Sequence, residues 1–161
     1  MKKVLAYGSF DMFHIGHLNF LQRAKSFGDY LIVGVTSDEF NREKGKVTFF
    51  TYEERAKVVE NIKCVDEIFK ANGWEEKLKD VERYKPDVVI AGEEWKQRYE
   101  PLKKYCEVVF LSRYEGVSSA MARNFLYKLD ELMYLLKNFS DSEKERFVDL
   151  IEHKLRQNLG K

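Results

Sequence analysis

The chain has only two cysteines, Cys64 and Cys106, far apart in sequence and in or beside apolar strand-like runs. That placement suits buried free thiols in a reducing cytoplasm better than a disulfide framework or a thiolate metal knuckle. Charge of one sign is also lacking: 28 lysines and arginines face 27 aspartates and glutamates, for a formal charge of +1. No strong field draws such a chain to nucleic acid or to a membrane, so small molecules are the expected partners. No apolar run approaches transmembrane length, and the apolar stretch in MKKVLAYGSFD is too short for a secretory signal. Internal repeats, low-complexity stretches and long flexible linkers are absent too.

What remains is one domain's worth of chain: 161 residues suffice for a real core and are too few for two ordinary domains, so one active site is expected. Short apolar, β-branched-rich runs at Lys3 to Tyr7, Tyr30 to Thr36, Val65 to Phe69, Val88 to Ala91 and Glu107 to Leu111 read as buried strands. Helical patterns separate them. Leu18, Leu21 and Ala24 share a face and Gly28 offers a stop, which predicts a helix over 17–27. Thr51 and Glu54 form a capping box ahead of Val58, Val59 and Ile62, and further helices are expected near Trp74, Lys96 and Ser118. From Asn124 the pattern is helical only, with Leu126, Leu129, Met133 and Leu136 on one face. A second capping box, Ser140 with Glu143, precedes Phe147, Leu150, Ile151 and Leu155.

Strands alternating with helices imply an α/β fold: a mainly parallel sheet, right-handed crossovers and helices on both faces. Ligands of such sheets bind beyond the carboxyl ends of the strands. The loops that matter are therefore 8–17, 37–50, 92–95 and 112–119.

The strongest signal is GSFDMFHIGH, Gly8 to His17, directly after the first strand and running into the first helix. Gly8 permits a tight exit from the strand, and Gly16 lets backbone approach a ligand that a side chain would block. His14 and His17 then present imidazole N–H groups at a helix start, where free backbone amides favour phosphate. Two histidines three apart could also begin a zinc site, but the sequence offers no second compact cluster of ligands, which ranks zinc below phosphate.

GSFDMFHIGH, TYEER at Thr51 to Arg55 and RYEGVSS at Arg113 to Ser119 resemble the cytidylyltransferase branch of the HxGH nucleotidyltransferases, its glycerol-3-phosphate members in particular. The resemblance runs without gaps from Met1 to about Leu126 and takes in GDYLIVGVTSDEFN and the VDE at Val65 to Glu67. It implies a Rossmann-like fold, a homodimer, magnesium held through the CTP phosphates, and transfer of CMP from CTP to a small phosphorylated alcohol. By matching position, Ser9, Phe10, His14, Ile15, Gly16, His17, Lys46, Arg113, Tyr114, Glu115, Gly116, Val117, Ser118, Ser119 and Ala120 should line the CTP site. Lys44 and Lys77 should face the phosphorylated acceptor. Asp11 would help organise the triphosphate and metal, its alternative being a turn-forming aspartate. Residues 1–126 would be the catalytic domain, and 127–161 a helical extension packed on it or on a dimer partner.

The implied chemistry suits these residue types. An acceptor phosphate oxygen is anionic at neutral pH, so attack on the α-phosphorus needs alignment and charge stabilisation, not a strong base. His14 and His17 would donate hydrogen bonds, Lys44 and Lys46 supply mobile charge, and Ser118 and Ser119 hold the β- and γ-phosphates at a helix start. Taken alone, Lys44 and Lys46 would be solvated loop lysines, Arg55 and Lys63 helix flanks, and Trp74 and Trp95 core or lid residues, with Trp95 the better pocket candidate. Lys63, Glu93, Glu94, Tyr114 and Ala120 depart from the family's pattern, which leaves cytidylyl transfer expected and the acceptor open. The competing readings are another phosphorylated acceptor, adenylyl transfer, and a nucleotide-binding sensor without turnover.

Overall fold

The computed structural model describes residues 1–112, Gly116 and 118–159, with side chains through Ile151 and that of His153. Strand β1 (Lys3–Gly8) leads into helix α1 (Ile15–Lys25), and β2 (Tyr30–Thr36) into α2 (Asp38–Glu43) and α3 (Tyr52–Glu60). Then β3 (Glu67–Ala71) leads into α4 (Lys77–Tyr84). After β4 (Val88–Gly92), a 3₁₀ turn (Glu93–Trp95), α5 (Lys96–Tyr99) and a second 3₁₀ turn (Glu100–Lys104) reach β5 (Glu107–Leu111). All five strands pair in parallel in the order β3-β2-β1-β4-β5. The chain thus reverses its direction of winding between β1 and β4, and the crevice beyond their carboxyl ends is where an open α/β sheet binds its ligand.

Alternation along the strands sorts the core into two layers. Val4, Ala6, Leu31, Val33, Val35, Val88 and Ile90 meet Leu21 and Ala24 of α1 and Val59 of α3. The intervening Leu5, Tyr7, Ile32, Val89 and Ala91 meet Val81 and Tyr84 of α4, Tyr99 of α5, and Leu102. Val4, Leu5 and Ala6 have no exposed surface, as a central strand covered on both faces requires. The α/β class with helices on both faces is therefore as expected.

The differences are local. The third strand starts two residues later than its apolar run, because the Val65 amide closes a turn on the Ile62 carbonyl. Helix α1 starts and stops two residues early, with His14 as its cap and Gly28 closing a turn on Lys25. The 37–50 segment is not all loop, since α2 forms there behind the Ser37 cap. Cys64 and Cys106 are free, as expected, but only half-buried.

By compactness the chain divides into Met1–Ser119 and Ala120–Lys161. Two helices account for nearly all of the second unit, α6 (Ser119–Lys137) and α7 (Asp141–Leu159). The expected division at residue 126 falls inside α6. Glu143 caps α7 as read from the sequence, accepting from the Ser140 amide at 2.8 Å and its hydroxyl at 2.6 Å. Among the described residues no helix is long and apolar enough to cross a membrane.

Candidate active site

The loop after β1 is built tightly. The last residue of that strand, Gly8, lies under the Phe10 ring, where an added Cβ would meet ring carbons at 2.6 Å. Phe10 and Met12 both hold positive φ, 52° and 48°, a conformation that costs a non-glycine residue about 1 kcal/mol or more and persists only when its surroundings fix it. Much of that fixing comes from the Asp11 carboxylate. It is almost fully buried and accepts from the amides of Phe49 and Phe50 at 3.0 Å. Those bonds give Asp11 a structural use, pinning the 48–50 segment to the first loop.

His14 caps α1 with its own ring: Nδ1 accepts from the Gly16 amide at 3.1 Å. This corrects the picture of a freely available amide at that helix start. It also fixes the tautomer, since an accepting Nδ1 leaves the proton on Nε2. His17 stacks on His14 with ring centroids 4.0 Å apart. Burial, and secondarily His14, pushes the His17 pKa down to about 4, against the opposing pull of Asp11. Burial lowers His14 as well. Both rings are therefore neutral near pH 7, each with one N–H group to offer. The buried Nδ1 of His17 makes no hydrogen bond, a cost of about 1–3 kcal/mol that a site tolerates more readily than a core.

The lysines are set by the end of α2. Gly45, at φ 70°, follows the Lys44 cap, and the Gly45 and Lys46 amides return to Arg42 and Asn41 carbonyls at 2.9 Å each. This is a Schellman turn, with glycine at the left-handed position. It places two lysines on either side of one glycine. Lys44 Nζ lies 4.4 Å from the Phe40 ring centroid and 6.0 Å from that of Trp95, and Lys46 Nζ lies 5.0 Å from Trp95. Burial, then Lys46 and Arg55, brings the Lys44 pKa down to about 8.

Lys77 joins them from α4. It is 4% exposed, and its Nζ makes no hydrogen bond and sits 3.3 Å from the Tyr7 ring centroid. Burial holds its pKa well below the usual lysine range, with Lys44 pushing the same way and Asp80 opposing. Asp80 is itself occupied by the Tyr7 hydroxyl, at 3.0 Å. Lys46 lowers the basicity of Lys44 and Lys44 that of Lys77, and Lys77 is buried with no hydrogen-bond acceptor, a site that a phosphate would relieve.

Arg55 is the residue that sequence reasoning missed. It is no helix flank: it is 1% exposed, with Nε donating to the Phe50 carbonyl and the terminal nitrogens to the carbonyls of Ser9 and Thr36 and to Asp38 at 2.7 Å. Burial alone would raise the Asp38 pKa, but bonds from Arg55 and from the Tyr52 amide outweigh it. The planar fork thereby ties the ends of β1 and β2 to α2 and to the 48–50 segment, a task lysine cannot perform. Its place inside the matched TYEER segment was the available signal. Beneath it, Ser9 and Thr36 hydroxyls both donate to Asn41 Oδ1, at 2.7 and 2.8 Å, so Ser9 serves the same scaffold.

Ser119 opens α6 as expected and donates from Oγ to the Asp11 carbonyl at 2.6 Å, joining the last predicted segment to the first. Ser118 is half-buried beside it, and Gly116 and Ala120 are exposed. The expectations for Arg113, Tyr114, Glu115 and Val117 lie outside the described residues. Trp95 is half-buried after β4, its ring centroid 5.1 Å from that of Trp74 and tilted by 48°. Ile15 is exposed on the first turn of α1, and Lys63 is exposed beyond α3. The stacked histidines follow β1, Lys44 and Lys46 follow β2, Lys77 and Trp74 follow β3 and Trp95 follows β4, the carboxyl ends at which such a sheet holds its ligand.

Known proteins carry the same arrangement of chain. A family model described as cytidylyltransferase-like matches residues 5–125. A glycerol-3-phosphate cytidylyltransferase of Bacillus spizizenii is 43% identical over 129 residues, 80% of this chain and 100% of that one. An FAD synthase of Ferroglobus placidus is 43% identical over 101 residues, 59% of this chain and 65% of its own. Among solved structures, a lipopolysaccharide core biosynthesis protein from Thermoplasma volcanium superposes with a TM-score of 0.62 at 30% identity, covering 71% of this chain and 99% of that one. With three quarters of its length matched, and a relative matched end to end, the chain belongs to the cytidylyltransferase-like family of nucleotidyltransferases.

Proposed function

We propose that this protein transfers CMP from CTP to glycerol 3-phosphate, giving a CDP-alcohol and pyrophosphate. An oxygen of the acceptor phosphate attacks the α-phosphorus of CTP, the new P–O bond forms as the bond to the β-phosphate breaks, and pyrophosphate departs with the negative charge. No proton has to be removed from the nucleophile, so neutral histidines suffice. Their N–H groups meet charge growing on the α-phosphate and leaving group, while Lys44 and Lys77 bring the second anion within reach.

The observation that carries this reading is Lys77, buried without a hydrogen bond and repelled by Lys44, in a sheet whose first loop stacks His14 on His17. Identity of 42% to 44% to three glycerol-3-phosphate cytidylyltransferases supports glycerol 3-phosphate as first acceptor. Among the described residues no three His, Cys, Asp or Glu side chains gather as a metal cage, and the Asp11 carboxylate is taken by amides. The donor set thus suits a magnesium ion that arrives on the CTP phosphates, where it would neutralise triphosphate charge. The reading also includes a homodimer and a cytoplasmic setting, where CTP is available.

Pyrophosphate release with each of CTP, UTP, ATP and GTP, against glycerol 3-phosphate, polyol phosphates, phosphocholine and phosphoethanolamine, tests it. Turnover confined to CTP with glycerol 3-phosphate is expected. Equal efficiency with ATP would overturn the nucleotide, whereas CTP turnover with another acceptor alone would overturn only the substrate.

A further inference from the structure

Lys77 and Asp80 stand three positions apart on α4, the spacing at which opposite charges ordinarily meet. Here they do not pair. The Asp80 carboxylate accepts from the Tyr7 hydroxyl at 3.0 Å, while Lys77 Nζ lies 3.3 Å from the centroid of the Tyr7 ring and makes no hydrogen bond. One tyrosine thus holds both would-be partners, the anion at its hydroxyl and the cation on its face. Arg83, the next cation along α4, lies over the Tyr84 ring at 5.0 Å, which leaves Lys77 as the buried cation on which Asp80 acts.

The sheet fixes the ring that separates them. Tyr7 of β1 pairs in register with Gly34 of β2, where an added Cβ would meet Tyr7 Cδ1 at 2.6 Å and Phe69 Cζ at 2.8 Å. Glycine at that register is what lets a phenol lie over the neighbouring strand. Phe69 stands at 80° to the ring, 5.9 Å away, and Tyr99 flanks it at 5.8 Å. Burial, and then Asp80, holds the Tyr7 pKa well above the ordinary tyrosine range, so its oxygen keeps the proton and donates.

We infer that Tyr7 is a positioning residue for the acceptor: its hydroxyl draws Asp80 away from Lys77 and its ring carries the ammonium, so that a phosphate is the first hydrogen-bond acceptor Lys77 meets. The inference rests on the acceptor reading above and adds what keeps its lysine available. A carboxylate and a phosphate compete for the same ammonium, and an Asp80–Lys77 ion pair would have to be broken by every acceptor molecule that binds. A hydroxyl that occupies the carboxylate removes that competition. The negative face of the ring stabilises the ammonium without using up its N–H groups. An aliphatic side chain would do neither, although Val4, Leu5 and Ala6 before it in β1 are all aliphatic. Phe40 extends the device, since Lys44 Nζ and Lys77 Nζ stand 4.4 and 5.4 Å from its centroid and so share one ring as neighbour.

Steady-state kinetics of the full chain with CTP and glycerol 3-phosphate tests the proposal through a double-mutant cycle. Tyr7→Phe keeps the ring and frees Asp80, so acceptor KM should rise about 10-fold or more while kcat and the KM for CTP stay within about twofold. In the Asp80→Asn background no carboxylate is left to divert, and Tyr7→Phe should then move acceptor KM by less than about twofold. A merely structural loss would persist there. A rise as large or larger in the second background, or no rise in the first, overturns the inference and leaves the functional reading standing. If Tyr7→Phe does not fold, Asp80→Glu takes its place: a carboxylate one methylene longer reaches past the hydroxyl toward Lys77 and should raise acceptor KM by about the same factor, and an unchanged KM overturns the inference. A wild type that turns over no phosphorylated acceptor overturns the functional reading and this inference together.

Discussion

The rings of His14 and His17 stack 4.0 Å apart while the Nδ1 of His14 is committed to the Gly16 amide. The outer ring is thereby locked as the cap of α1, and the inner one is oriented by stacking upon it. His17→Ala should lose about 10² to 10³ in kcat, the range for a donor aimed at developing charge. Its melting temperature should stay within a few degrees of wild type, because the lost ring leaves one fewer orphaned nitrogen. Near-normal turnover in purified, folded His17→Ala would remove the histidine from the chemistry.

The Arg55 fork predicts a different outcome. Arg55→Met removes the guanidinium bonds of the Phe50, Ser9 and Thr36 carbonyls and the ion pair with Asp38, which keeps the Tyr52 amide and the Thr48 hydroxyl, and losing one partner of such a network costs about 3–5 kcal/mol. Thermal unfolding should show a fall in Tm on the order of 10 °C. Arg55→Lys should recover little of it, since an ammonium cannot reach divergent carbonyls as a planar guanidinium does. Full recovery by lysine would mean that charge, not the fork, is what this position needs.

Lys77 sets stability against function. Its folded pKa lies below the ordinary 10.5, so between those values the folded state binds fewer protons than the unfolded one and stability rises with pH. Lys77→Met should flatten that rise and leave Tm at pH 7 unchanged or a few degrees higher. Its kcat/KM for the acceptor should fall by about 10² or more. In the wild type, acceptor KM should climb as pH rises through about 8, where Lys44 loses its charge. Calorimetry in buffers of different ionisation enthalpy should show proton uptake on acceptor binding at pH 8; proton release would reverse the assignment.

The sheet was legible because each strand is a short apolar run, and β2 and β5 coincide with theirs. Helix α2 was hidden, since six residues are too few to show a period, although Ser37 and Gly45 bracket it. The site was legible as segments and not as connections. Nothing in sequence spacing says that the guanidinium of residue 55 reaches the carbonyl of residue 9, or that the carboxylate of residue 11 holds the amides of 49 and 50. Those bonds cross three elements, and only the packed sheet brings them together. The burial of Lys77 against Tyr7 was equally invisible, because a lysine on the first turn of a helix ordinarily reaches solvent.

Gly45 gives the sharpest test of whether lysine placement, apart from lysine charge, governs turnover. An added Cβ there would meet nothing within 4 Å, and yet φ is +70°. A substitution is therefore judged by backbone conformation alone, with no steric clash to confuse the result. Gly45→Ala should cost about 1 kcal/mol in stability, the usual penalty for an alanine in the left-handed region. The larger effect should fall on catalysis. If the Schellman turn relaxes, the returns of residues 45 and 46 to Arg42 and Asn41 are lost, and Lys44 and Lys46 leave the aromatic wall that positions them. A misplacement of about 1 Å can cost on the order of 10² in rate, so kcat/KM should fall far more than Tm. Gly45→Asn, whose side chain tolerates positive φ, should restore most of the activity, whereas Gly45→Val should be worse than alanine. The rank order Gly, Asn, Ala, Val in kcat/KM, with little spread in Tm, is the expected signature. Equal activity across the four would show that two mobile lysines suffice wherever the loop carries them.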